Sequence, residues 1–127
     1  MADWNLKKVI VVDGDGEFDE DLSRRLRERG YEPMVIRRGA QAVKAVKDNK
    51  PGAVVLELSL PDRDGRQVLK EIKDDWDAKK VPVIVASGYV SRLDARGREQ
   101  VEAVLSKPVD WDLLLNRIQM ACEKKRD

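Results

Sequence analysis

Short continuous apolar runs alternate along the chain with longer stretches in which apolar residues recur every three or four positions. Three runs are rich in β-branched residues and lack polar alternation: Val9–Val12, Ala53–Leu58 and Val81–Ala86. Such runs are typical of strands that are covered on both faces of a sheet. Tyr31–Ile36 and Val101–Leu105 predict two shorter strands, and Pro33 places the first of these nearer a sheet edge.

The stretches between these runs predict five helices. Phe18, Leu22 and Leu26 follow one another at four-residue spacing and define one helix face, which Gly30 ends. The other helical stretches are Gln41–Lys47, a face formed by Val68, Leu69, Ile72 and Trp76, then Ser91–Gln100 and Leu113–Ala121. The residues Asn49, Lys50, Pro51 and Gly52 are expected to break the chain before the third strand. Strands that alternate with helices predict an α/β protein, a doubly wound (βα)5 parallel sheet with helices on both faces.

Composition narrows the chemistry that this fold could carry. The 127 residues predict one domain, 1–127, with a core at about 7–121 and a charged tail at 123–127. The absence of histidine excludes a Ser-His-Asp triad and histidine-ligated metals, and the single Cys122 excludes an internal disulfide. Because 25 basic residues balance 24 acidic ones, nucleic acid is not an expected partner of this domain. No apolar run is long enough to span a membrane and Met1–Asn5 carries no apolar signal region, so we expect a cytoplasmic protein.

Polar residues stand where the predicted strands end. Asp13-Gly14-Asp15 follows the first strand, Glu57 lies near the end of the third, Ser87 ends the fourth, and Lys107 follows the fifth. In an open parallel sheet, ligands bind beyond the carboxyl ends of the strands. Carboxylates, a hydroxyl and an ammonium group at one such edge suit a divalent cation and a phosphoryl group.

Four segments, in this order, carry a family resemblance. They are VIVVD at Val9–Asp13, LSLPDRDG at Leu58–Gly65, VPVIVASG at Val81–Gly88 and LSKPVD at Leu105–Asp110. The chain resembles a response-regulator receiver domain over about residues 7–121. The resemblance implies a flavodoxin-like fold with strand order 2-1-3-4-5 and a role in two-component signalling, where a histidine kinase donates a phosphoryl group to an aspartate. The absence of histidine then fits a donor that lies on another chain.

Two positions depart from the pattern of that family. The family has two adjacent acidic residues after the first strand, whereas here Asp13 is followed by Gly14. Its phosphoacceptor is an aspartate, and Glu57 stands at that position. Ser87 and Lys107 match the family's hydroxyl and lysine, and the resemblance implies a cis peptide bond between Lys107 and Pro108.

These departures predict a receiver-like module that works without phosphorylation. Glu57 is one methylene longer than aspartate, which displaces its carboxylate beyond the ~0.5 Å tolerance of a reactive constellation. It could instead reach Lys107 and form an ion pair. We expect no cofactor; a Mg²⁺ ion, if bound, would use Asp13, Glu57 and a backbone carbonyl near Ser59.

Three alternatives remain open at this level. An active, Mg²⁺-dependent receiver would phosphorylate Glu57 or use Asp13. A phosphohydrolase of the haloacid-dehalogenase type would use Asp13 and Asp15 as its acidic pair, although Asp15 is also a favoured helix N-cap. The third is a non-enzymatic interaction module, whose partner would be a sensor kinase or an output protein. The face at 91–121 is the region through which such a domain would pair with a partner or a second copy.

Overall fold

The computed structural model describes residues 3–126 and shows a single five-stranded parallel sheet. The strand order is β2-β1-β3-β4-β5, which confirms the predicted topology. The strands are β1 (Asn5–Val12), β2 (Glu32–Ile36), β3 (Pro51–Leu56), β4 (Val83–Ser87) and β5 (Ala103–Ser106). β2 lies at an edge of the sheet, as Pro33 predicted, because proline cannot donate a hydrogen bond to a second neighbour.

Four α-helices connect the strands and a fifth follows β5, and side chains that cap their first turns set where several of them begin. The helices are α1 (Gly16–Glu28), α2 (Ala42–Asn49), α3 (Gly65–Asp74), α4 (Ala95–Glu99) and α5 (Trp111–Glu123). Asp15, Asp64, Asp94 and Asp110 each accept a hydrogen bond from a backbone N–H in the first turn of α1, α3, α4 and α5 respectively. After α1 the chain turns at Gly30, whose φ of 84° favours glycine.

The sheet is covered on both faces, and alternate residues of its central strands point to opposite sides. Ile10 and Val12 of β1 pack with the apolar residues of α2 and α3, whereas Val9 and Val11 pack with those of α1 and α5. All six residues of β3 are buried. An apolar layer therefore packs on each face of the sheet, and this packing fixes the positions of the strand ends.

Three local predictions were wrong. Trp76 lies beyond the end of α3 and is 73% exposed, because Asp75 accepts hydrogen bonds from the N–H groups of Asp77 and Ala78 and ends the helix. Pro51 and Gly52 begin β3 rather than preceding it, so Lys50, with a φ of 45°, makes the turn by itself.

The fourth helix is also much shorter than the predicted Ser91–Gln100. A 3-10 turn occupies Val90–Arg92, and α4 begins only at Ala95 because Asp94 caps it.

Among residues 3–126, no helix is both long and apolar enough to cross a bilayer.

Candidate functional site

The carboxyl ends of β1, β3, β4 and β5 lie side by side and bring the four predicted site residues to one edge of the sheet. Asp13, Glu57 and Lys107 directly follow β1, β3 and β5, and Ser87 is the last residue of β4. Backbone hydrogen bonds fix this edge: the Glu57 N–H donates to the Val12 carbonyl, and the Lys107 N–H donates to the Ser87 carbonyl. The Lys107–Pro108 peptide bond is cis, as predicted.

The Lys107 ammonium group lies between the two predicted acidic residues. Its Nζ is 2.7 Å from Asp13 Oδ2 and 3.2 Å from Glu57 Oε1. Asp13 is 1% exposed and Glu57 is 7% exposed, so these contacts are shielded from solvent. Burial lowers the pKa of Lys107, but the two carboxylates outweigh this effect and raise it above the ordinary lysine value. The lysine therefore stays charged and bridges both acids.

The Glu57 carboxylate turns back onto its own backbone. Its Oε2 accepts a hydrogen bond of 2.7 Å from the N–H of Leu58 and one of 3.3 Å from the N–H of Ser59. Together with the contact to Lys107, these bonds engage both carboxylate oxygens. The extra methylene group of glutamate allows this folded-back conformation.

Asp13 has no free carboxylate oxygen either. Its Oδ1 accepts a 2.7 Å hydrogen bond from the N–H of Asp15, while Oδ2 contacts Lys107. Burial raises the pKa of Asp13 above its ordinary value, against the lowering effects of Lys107 and of the Asp15 N–H.

Ser87 is fully buried, and its hydroxyl group is not part of the ion pairs that join Asp13, Glu57 and Lys107. Its Oγ accepts a 2.9 Å hydrogen bond from the N–H of Tyr89. The hydroxyl thus supports the turn after β4, while its connection to Lys107 runs through the backbone.

The position next to Asp13 has little room for a larger residue. A Cβ atom on Gly14 would lie 3.1 Å from Cδ of Pro61 and 4.0 Å from the carbonyl oxygen of Arg37. A side chain here would therefore require the Pro61 loop to shift by a few tenths of an ångström. The glycine removes a carboxylate from this exposed position.

The other acidic residues near this edge shape the backbone. Asp15 caps α1 through a 3.3 Å hydrogen bond from the N–H of Phe18, as predicted. Asp62 accepts hydrogen bonds from the N–H groups of Gly39 and Ala40, which ties the loop after β3 to the loop after β2. Asp64 caps α3.

Asp19 is the residue that sequence reasoning missed. It lies in the first turns of α1, is 2% exposed, and neither of its carboxylate oxygens accepts a hydrogen bond from residues 3–126. Burial, followed by the negative charge of Asp13, raises the pKa of Asp19 to about 7. The signal was available, because position 19 shares the buried helix face of Leu22 and Leu26 at helical spacing.

Aromatic side chains line one side of the site. The Lys107 ammonium lies 4.0 Å from the ring centroid of Phe18, which stacks on Trp111 at 5.4 Å. Arg25 covers the Trp111 ring at 4.5 Å. These contacts hold the Lys107 side chain against α1 and add to its attraction to the two carboxylates.

The chain is similar to proteins of a known family. The family model for the response regulator receiver domain matches residues 9–119. The polar-differentiation response regulator DivK of Brucella anthropi is 32% identical over 116 residues, which cover 89% of this chain and 94% of that protein.

Solved structures show the same fold. A sensor protein from Polaromonas sp. is similar with a TM-score of 0.83 at 23% identity, over 91% of this chain and 95% of that one. The receiver domain of a sensor histidine kinase from Pseudomonas aeruginosa, with magnesium in its active-site cleft, is similar with a TM-score of 0.81 at 22% identity, over 92% and 98% of the two chains. The chain belongs to the response regulator receiver family of two-component signalling.

Proposed function

We propose that this receiver domain acts by protein–protein interaction and does not accept a phosphoryl group. The observation that carries the proposal is the conformation of Glu57, whose Oε2 accepts hydrogen bonds from the N–H groups of Leu58 and Ser59 while its Oε1 lies 3.2 Å from Lys107 Nζ. Gly14 leaves no second carboxylate beside Asp13, so two acidic positions of the family pattern are altered. The partner of the domain, we propose, is a sensor kinase or an output protein that recognises the folded surface.

The donor set does not fit the Mg²⁺ ion that is found in a receiver domain of the same fold. Mg²⁺ binds through one or two carboxylates with near-octahedral geometry and keeps several waters. Here Gly14 provides no carboxylate, and the oxygens of Asp13 and Glu57 already contact Lys107 or backbone N–H groups. Among residues 3–126, no three acidic or cysteine side chains are grouped in a way that could hold a metal ion. The backbone carbonyl predicted as a ligand near Ser59 would add only one oxygen to this set.

The geometry of Glu57 also opposes phosphoryl transfer. A nucleophilic carboxylate must present a free oxygen in line with the leaving group, at about 3 to 3.5 Å from the phosphorus atom. Glu57 Oε2 accepts two backbone hydrogen bonds, and Oε1 lies beside the Lys107 ammonium. Attack would require these contacts to break in a site where both acids are buried.

Incubation with acetyl phosphate and Mg²⁺, followed by intact-protein mass spectrometry, tests the proposal. We expect the wild-type mass to remain unchanged. Gain of one phosphoryl group, mapped to Glu57 or Asp13 by peptide sequencing, would overturn the proposal.

A restored variant is the positive control. Gly14→Asp combined with Glu57→Asp returns both family acids to the site, and we expect this variant to gain one phosphoryl group under the same conditions. Glu57→Asp alone separates the two changes, since it restores the shorter acceptor without the second acid. If the double variant is folded and labels while the wild type does not, the two substitutions account for the loss of transfer.

A further inference from the structure

A strongly basic region lies at the edge of the sheet opposite Asp13 and Lys107. It surrounds a depression of about 180 Å³ at the amino-terminal ends of β4 and β5, and Val81 and Pro82 form part of its wall. Its cationic residues are Lys73, Lys79, Lys80, Lys124, Lys125 and Arg126, and we call them the basic surface.

The charge of the basic surface is almost uncompensated. Among residues 3–126, Glu102 is the one acidic residue that lines the depression, and Lys124 Nζ lies 2.6 Å from its Oε1. The lining therefore has an excess of five positive charges, in a chain whose formal net charge is only +1. Such segregation produces a local positive potential that a balanced surface would not have.

The ammonium group of Lys73 is held in place at the basic surface by backbone carbonyl groups. Its Nζ lies 3.3 Å from the carbonyl oxygens of both Lys79 and Val81, and burial lowers its pKa below the ordinary lysine value. An ammonium group that has lost part of its hydration gains more from a bound anion than one that is fully solvated. Arg126 adds positive charge, but both terminal nitrogens of its guanidinium already donate to the carbonyls of Pro51, Gly52 and Ala121.

Trp76 extends the basic surface with an apolar anchor. Its side chain is 73% exposed, and the Lys79 ammonium lies 3.8 Å from its ring centroid. Tryptophan and arginine are enriched among the residues that contribute most to binding at protein–protein interfaces. An exposed tryptophan beside cations is therefore typical of such an interface. A small inorganic anion would leave this ring without a contact.

We propose that the basic surface, together with Trp76, binds an extended acidic segment of a partner protein. Carboxylate side chains of the segment would enter the depression, and an apolar side chain would cover the Trp76 ring. The depression holds one or two side chains, which favours an extended peptide over a folded domain. The inference goes beyond the proposed function and does not depend on it, since the basic surface lies at the far edge of the sheet from Glu57.

Fluorescence anisotropy with a labelled extended peptide of six glutamates and two leucines tests the proposal directly. We expect binding that weakens with added salt and that quenches tryptophan emission. The variant Lys79→Gln/Lys80→Gln/Lys124→Gln should weaken the affinity by about tenfold or more, because three of the facing charges are removed. Trp76→Ala should remove most but not all of the quenching, since Trp4, whose ring centroid lies 4.9 Å from the Arg126 guanidinium, would remain beside the basic surface.

A matched variant removes the same charge from other faces. Arg24→Gln/Lys44→Gln/Arg96→Gln should leave the affinity within about twofold, since none of these residues lines the basic surface. Equal weakening in both triple variants would show attraction to net charge alone and would overturn the proposal. Absence of binding to the wild type would do the same, as would tighter binding of a DNA duplex of equal charge. Circular dichroism verifies that each variant is folded.

Discussion

Replacement of Asp19 by asparagine should stabilise the protein. The Asp19 carboxylate is buried in the first turns of α1, accepts no hydrogen bond from residues 3–126, and lies near the negative charge of Asp13. Asparagine has nearly the same shape and carries no charge. It can also donate a hydrogen bond to a neighbouring carboxylate.

The pKa of Asp19 sets the magnitude of this effect. Burial raises it from 3.8 to about 7, so the folded state retains a proton that the unfolded chain releases between these pH values. The free energy of unfolding therefore falls as pH rises through this window, and the loss levels off above pH 7. At 1.36 kcal/mol per pH unit, the asparagine variant should gain about 3 to 4 kcal/mol relative to the wild type between about pH 4 and pH 8.

Urea denaturation of both proteins at a series of pH values measures this difference. The stability gap should be small at about pH 4 and should widen steadily up to about pH 7. Glu20→Gln is the matched control, because this exposed residue follows Asp19 on the same helix and its neutralisation should produce no such gap. A gap that is constant with pH, or a variant that is less stable than the wild type at about pH 8, would refute the reasoning.

Three further substitutions test the packing around the site. Lys107→Gln should lower the free energy of unfolding by about 3 to 5 kcal/mol, because two buried carboxylates lose their cation, whereas Lys44→Gln should leave the urea midpoint unchanged. Gly65→Ala should destabilise by about 3 kcal/mol, since its Cβ would lie 2.3 Å from the Glu57 carbonyl oxygen, while Gly88→Ala should be nearly neutral because a Cβ there meets no atom within 4 Å. Asp64→Ala should cost about 1 kcal/mol through loss of the α3 cap, as thermal unfolding would show. An unchanged midpoint for Lys107→Gln would contradict the bridge that this residue forms.

The sequence predicted the sheet well because its central strands are buried on both faces. Val9–Val12 and Val81–Ala86 are continuous apolar runs, and only a covered parallel strand of this length accommodates them. Helix ends were harder to predict, since they depend on single side chains. The hydrogen bonds of Asp75 stopped α3 before Trp76, and the cap at Asp94 delayed α4.

The site was predicted in its members but not in its full contacts. Strand ends and the family resemblance located Asp13, Glu57 and Lys107, and the expected ion pair between Glu57 and Lys107 is present at 3.2 Å. The contact between Lys107 and Asp13, and the hydrogen bonds that fold Glu57 onto its own backbone, depend on rotamers that no pattern encodes. Asp19 escaped notice because a charged residue on a buried helix face contradicts the usual rule of burial.

The effect of beryllofluoride and Mg²⁺ on the amide spectrum tests the central claim most directly. Beryllofluoride mimics a phosphoryl group only where a carboxylate and a bound cation can hold it. Because Gly14 provides no carboxylate and Glu57 is folded onto its own backbone, the ¹H–¹⁵N spectrum of the wild type should not change, whereas that of Gly14→Asp/Glu57→Asp should shift around residues 57, 87 and 107. Saturable shifts at these residues in the wild type would show that its site accepts the phosphoryl mimic, and would contradict a receiver domain that works without phosphorylation.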